Sequence, residues 1–163
     1  MKTLLILRHA KSSWKTDGLP DHERPLNARG LKDAPQVGQR LVEHGLLPER
    51  VLCSTARRAR NTAELVVDAC GYTGDLTLLD ELYEATAGTY LAALARCAGE
   101  AGTVLLVGHN PTCEELLQRL TGQYLPMPTA ALAQVRLPLD SWAAAAEARR
   151  GELVSLWRPK ESA

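Results

Sequence analysis

The run Thr103-Val104-Leu105-Leu106-Val107-Gly108-His109-Asn110-Pro111 packs a strand, a polar loop and a helix start into nine residues. No polar side chain interrupts Val104 to Val107, as expected of a strand covered on both faces in a parallel sheet. Gly108 closes it. Pro111 then suits the first turn of a helix reaching Leu120, with Gly122 beyond its end. Thr3–Leu7 repeats the pattern at the start of the chain, and it too ends in charged and polar residues, Arg8 and His9.

Working outward, Asn27 is placed to cap a helix, with Gly30 early in it and Leu31, Ala34, Val37, Leu41 and Val42 at helical spacing before Gly45. Arg50–Cys53 reads as a second short strand with Ser54 as a cap. A helix follows from about Ala56 to Cys70, carrying Ala59, Thr62, Ala63, Val66 and Val67 inward. Leu76–Leu79 predicts a further strand and Tyr90–Cys97 a helix. Two late strands are expected at Ala131–Leu137 and Glu152–Trp157, with an alanine-rich helix, Ser141–Arg149, between them. Alternating strands and helices without repeat or linker predict an α/β fold, a three-layer α/β/α sandwich with a mainly parallel central sheet, as a single domain over residues 1–163.

Of the 163 residues 45% are hydrophobic, enough for a sizeable core, and 19 Lys+Arg balance 19 Asp+Glu. Zero net charge removes the global electrostatic case for nucleic acid or an anionic membrane as partner. The longest apolar run, Tyr90–Ala95, is far short of the ~20 residues that span a bilayer. Leu4–Leu7 after Lys2 is too short for a signal peptide, because Arg8 stops it. Cys53, Cys70, Cys97 and Cys113 form no CxxC or Cys/His metal pattern, so they are expected to be reduced thiols of a cytoplasmic protein, with no metal and no cofactor.

In open α/β sheets ligands bind where loops leave the carboxyl ends of the strands. Three such places stand out: Arg8-His9, Ser54–Arg58 and Gly108-His109-Asn110. Charged groups leaving a buried strand must be paired or face a cleft. Two histidines and two arginines on one sheet edge, beside the free N–H groups of a helix start, would make a phosphate pocket.

Leu7-Arg8-His9-Ala10-Lys11-Ser12-Ser13 resembles the Arg-His signature of the histidine phosphatase (phosphoglycerate mutase-like) superfamily. Arg24-Pro25-Leu26-Asn27 with Gly30, Ser54-Thr55-Ala56-Arg57-Arg58-Ala59-Arg60-Asn61-Thr62 and Gly108-His109-Asn110-Pro111 match further segments in order. The compact length and the Arg-Pro-Leu element look most like the SixA-type phosphohistidine phosphatases. Ala10 stands where the family usually has Gly, Thr55 where it has Pro, and Asn61 where it has Gln.

The resemblance implies a covalent mechanism. His9 would attack phosphorus, water would hydrolyse the phosphohistidine, Arg8 and Arg58 would bind the equatorial oxygens, and His109 would be a further donor. Glu81, with Glu84 as fallback, stands where larger relatives carry a general acid. Arg24 either reaches the phosphate or pairs with Asp21 or Glu23. Ser12 and Lys11 are candidate substrate contacts, and Asn110 either binds phosphate or caps the following helix. Trp14 either packs over the site or fills a local gap, and His22 and His44 read as exposed bystanders. The Cys-x5-Arg loop of a cysteine phosphatase is absent: Arg58 follows Cys53 by five residues, and the intervening run lacks the glycines that would cradle phosphate. The expected partner is a phosphorylated protein, or alternatively a small phosphorylated metabolite such as a sugar or nucleotide phosphate. A non-catalytic phosphate-binding module would keep the arginines and need no His9. Oligomeric state has no signal in the sequence.

Overall fold

The computed structural model describes residues 1–15 and 18–159. Ten regular elements follow in chain order: β1 (Lys2–Arg8), α1 (Ala28–Glu43), β2 (Arg50–Ser54), α2 (Arg57–Cys70), β3 (Leu76–Leu79), α3 (Ala87–Cys97), β4 (Thr103–Gly108), α4 (Thr112–Thr121), β5 (Leu132–Leu137) and β6 (Glu152–Trp157). One six-stranded sheet runs in the order β3-β2-β4-β1-β5-β6. The first four of these strands are parallel, whereas β5 and β6 add as an antiparallel pair beside β1.

The alternation of side chains along β1 divides the core. Leu4 and Ile6 face the side covered by α3 and α4, while Leu5 and Leu7 face α1 and α2. All four are fully buried, which is why this strand reads as a continuous apolar run. Helices on both faces make the three-layer α/β/α sandwich. Among the described residues, no helix is long and apolar enough to cross a membrane.

Asn27 caps α1 as expected, its side chain accepting from the Gly30 N–H at 2.9 Å. Ser54 does not cap α2. That helix begins at Arg57 after Ala56, and the Ser54 hydroxyl lies inside the fold. The alanine-rich segment is a short 3-10 helix, Trp142–Glu147, and not an α-helix. Trp142 and Ala145 are its buried residues and Ala148, just past its end, is buried too, a spacing of three that suits the tighter helix; the Trp142 Nε1–H anchors it to the Ala101 carbonyl.

Candidate active site

Sheet register brings the predicted loops together. Arg8 lies opposite Gly108 in the β1–β4 pair, and Cys53 opposite Val107 in the β2–β4 pair. His9, His109 and Ser54 therefore leave the carboxyl edge side by side. Arg58, in the first turn of α2, and Arg24 reach the same place, and all of these except Ser54 line a cleft of about 480 Å³ with Lys11, Ser12, Trp14 and Asn110.

His9 is 7% exposed, and its Nδ1 lies 2.7 Å from the Ala10 carbonyl. A carbonyl can only accept, so Nδ1 carries the proton and Nε2 the lone pair. Burial, with further help from Arg58, Arg8 and Arg24, pushes the imidazole pKa down to about 4. The ring is therefore neutral at physiological pH with Nε2 free to act as a nucleophile. The loop behind it is held from α2: the Ala10 N–H donates to Thr62 Oγ1 at 3.0 Å, and the same hydroxyl donates to the Arg58 carbonyl at 2.7 Å.

The two imidazole rings stand 5.1 Å apart, tilted by 55°. His109 Nε2 meets Ser54 Oγ at 2.9 Å, and its backbone N–H donates to the Tyr90 hydroxyl at 3.1 Å. That hydroxyl in turn donates to the Leu82 carbonyl. A Cβ on Gly108 would come within 2.4 Å of the Tyr90 oxygen, so only glycine leaves room for this support. Burial first, then the neighbouring His9 and Arg58, push the His109 pKa down to about 3. It is thus uncharged beside a neutral His9, and an arriving phosphate dianion would be what favours its protonation.

Arginine supplies the positive charge. Arg8 donates through Nη1 to the Met127 carbonyl at 3.1 Å. Arg58 donates to the Asp21 carbonyl at 2.8 Å and to the Asp21 carboxylate at 3.0 Å. Arg24 donates to the other Asp21 carboxylate oxygen at 2.9 Å and to Ser12 Oγ at 2.8 Å. The Tyr83 hydroxyl also donates to Asp21. That hydrogen bond, with Arg24 and Arg58 beside it, holds the Asp21 carboxyl well below the usual range. Arg8 Nε, Arg58 Nε and His109 Nδ1 are buried and find no protein partner among the described residues. Buried polar groups left without a partner cost free energy.

The structure thus brings Arg8, His9, Arg58, His109, Arg24, Ser12 and Asn110 to one cleft, and it does not bring Glu81 there. Glu81 is exposed and ion-paired with Arg96 of α3. Glu84 is exposed as well. Asn110 does not cap α4: Pro111 occupies that position, and Asn110 Nδ2 donates to the Met127 carbonyl at 2.9 Å. Trp14 fills no core gap, being 76% exposed and stacked on Arg24. His44 is exposed, but His22 is half-buried against Thr55 and the edge of Tyr83. Cys53 is fully buried and its thiol is pushed far above the usual range, which removes a thiolate nucleophile. Among the described residues no three His, Cys, Asp or Glu side chains gather where they could hold a metal ion. Sequence reasoning passed over Tyr90, Tyr83, the Met127 carbonyl that holds Arg8 and Asn110, and the cleft-lining Pro128 and Thr129. Only Asp21 had a local signal, an acid three residues before Arg24.

Residues 4–93 match the model of the histidine phosphatase superfamily (branch 1). An uncharacterized protein of Mycobacterium tuberculosis (strain ATCC 25618 / H37Rv) is 40% identical over 111 residues, covering 68% of this chain and 66% of that protein. This chain therefore spans just under two thirds of that relative. Among solved structures, the putative phosphohistidine phosphatase SixA from Agrobacterium tumefaciens is 32% identical with a TM-score of 0.83, covering 97% of this chain and 99% of that one. The protein histidine phosphatase SixA complexed with tungstate is 27% identical with a TM-score of 0.82, covering 96% and 97%.

Proposed function

The chain belongs to the histidine phosphatase superfamily, and on that premise we propose that it is a phosphatase working through a covalent phosphohistidine on His9, with phosphohistidine in proteins as its substrate. One observation carries this reading: the Ala10 carbonyl fixes the His9 proton on Nδ1, which leaves the Nε2 lone pair inside a cleft lined by arginines. The Nε2–P bond forms as the bond from phosphorus to the leaving nitrogen breaks, and the electron pair departs with that nitrogen. Arg8, Arg58 and a protonated His109 would hold the three equatorial oxygens, where charge must be stabilised as the phosphoryl group moves. Water then attacks phosphorus, the P–N bond to His9 breaks, and inorganic phosphate leaves. The arginines supply the positive charge that a divalent metal would otherwise bring.

Carboxylate placement supports a nitrogen leaving group over an alkoxide. No carboxylate lines the cleft among the described residues, and Asp21, which reaches Arg58 and Arg24, is held deprotonated. An alkoxide needs a proton from an acid in the transition state. An imidazole protonated on its other nitrogen leaves as a neutral ring and needs none.

The test is phosphate release from a histidine-phosphorylated protein and from p-nitrophenyl phosphate, without divalent metal, for the wild-type chain and His9→Ala. Preference for the phosphohistidine, lost in the variant, is the expected result. Activity on the ester alone would keep the nucleophile and move the substrate to small phosphorylated metabolites. Equal rates for both chains would overturn the mechanism.

A further inference from the structure

Trp14 is the aromatic side chain of the cleft wall, and its setting joins rigidity to exposure. The Arg24 guanidinium carbon sits 3.4 Å from the indole centroid, covering one face. Arg24 is itself fixed by the Asp21 carboxylate, Ser12 Oγ and the Ser13 carbonyl. The indole is therefore tied to the side chains that build the phosphate site, while 76% of the residue stays open to solvent. A second groove, of about 540 Å³, lies against Trp14 as well, so the ring stands between two concavities.

His9 lies buried at the floor of the cleft. In-line displacement requires the leaving atom to depart opposite the attacking nitrogen. The group that leaves must therefore point outward, toward the mouth, where the exposed indole stands. A flat π-surface held in place there stacks well on a planar ring and poorly on an alkyl chain.

We propose that Trp14 is the leaving-group platform of this site, its open face stacking on the planar ring from which the phosphoryl group is taken. It thereby sets specificity for imidazole and aryl leaving groups over aliphatic ones. The assignment rests on the phosphatase reading of the cleft.

The test compares kcat/KM of the wild-type chain, Trp14→Ala and Trp14→Phe on phosphoimidazole, p-nitrophenyl phosphate and acetyl phosphate, which has no ring. Trp14→Ala is expected to lose about tenfold on both ring substrates, mostly in KM, and to stay within twofold on acetyl phosphate. Trp14→Phe should recover most of the loss. An equal loss on acetyl phosphate would make Trp14 a structural support of Arg24 and overturn the proposal. So would an unchanged rate on phosphoimidazole with a loss confined to a histidine-phosphorylated protein, which would make the indole a protein-docking contact. Wild-type turnover of acetyl phosphate keeps the phosphatase reading intact in either case. Absence of turnover on all three overturns the platform assignment, while turnover of the histidine-phosphorylated protein decides the phosphatase reading separately. Independently of turnover, phosphoimidazole should quench the tryptophan emission of His9→Ala, and the quenching should vanish when Trp14→Ala is added.

Discussion

Ser54 Oγ lies 2.9 Å from His109 Nε2, in a contact sealed from solvent where β2 and β4 end. The same hydroxyl accepts from the Ala56 N–H at 3.2 Å, so one buried oxygen fixes both an imidazole and the entry to α2. Ser54→Ala removes the oxygen without adding bulk and leaves both groups short of a partner. The expected cost is about 1–3 kcal/mol of stability, read from the urea midpoint. A roughly tenfold fall in kcat is expected beside it, because His109 would no longer be held at a fixed angle. Wild-type kcat in a destabilised chain would show that packing and the Tyr90 hydrogen bond orient His109 without Ser54.

Acid should cost this fold stability through its histidines. His9 binds its proton at about pH 4 in the folded chain, against an ordinary value of 6.5. Between those values the unfolded chain holds a proton that the folded chain does not, so stability falls as pH drops from 6.5 toward 4. For His9 alone the loss is about 3 kcal/mol. His109, pushed to about 3, extends the window downward. Urea unfolding at pH 7 and pH 4.5 should show a smaller loss for His9→Ala than for the wild-type chain. The same pH slope in both would mean that His9 is protonated in the folded site.

Asp21 competes with any anion for Arg58. Its backbone carbonyl and its carboxylate take both Arg58 amino groups, and Arg24 binds the same carboxylate. Asp21→Asn keeps the shape and the carbonyl contact but removes the negative charge beside the cleft. Inorganic phosphate should then inhibit about threefold more tightly, a modest gain because the Asp21 side chain is 47% exposed. Weaker inhibition would show that the carboxylate serves chiefly to aim the arginines.

Glu81 marks where sequence reasoning and geometry part. It precedes Leu82, which turns into the core and supports Tyr90, and this turn directs Glu81 outward to Arg96. Glu81→Gln should therefore leave kcat within twofold on phosphoramidate and ester alike, with at most about 1 kcal/mol lost from the exposed ion pair. A selective loss on the ester would return Glu81 to the chemistry.

The sheet was legible because burial on two faces writes itself as unbroken apolar runs, as at Leu4–Leu7 and Val104–Val107. The residues at the strand exits were legible for the converse reason, since Arg8, His9 and His109 interrupt that pattern where a core would not tolerate them. Asp21, Tyr83 and Tyr90 carry no comparable signal. Their contacts span 37, 62 and 19 residues along the chain, to Arg58, Asp21 and His109, and periodicity does not report on partners so distant. The 3-10 form of Trp142–Glu147 was hidden because alanine suits the α-helix, whereas the anchoring of Trp142 on Ala101 is a tertiary contact.

Gly30 is where fold and site meet most closely. A Cβ on Gly30 would stand 2.2 Å from the Lys11 carbonyl oxygen, in the loop that follows His9. That carbonyl also accepts from the Asn27 N–H at 3.0 Å, so the first turn of α1 and the loop are locked together. The overlap is with backbone and cannot be relieved by turning a side chain. Gly30→Ala should cost about 3 kcal/mol despite the better helix propensity of alanine, and should lower kcat by displacing the loop behind His9. Gly88→Ala is the control. Its new Cβ would meet only Arg119 and Thr86 side-chain atoms, the nearer at 3.4 Å, so the helical gain of up to about 1 kcal/mol should appear without loss of activity. Paired urea midpoints and phosphate-release rates for the two variants decide the matter. If Gly30→Ala behaves like Gly88→Ala, the loop yields freely to the helix, and His9 is positioned by β1, Thr62 and the Ala10 carbonyl alone.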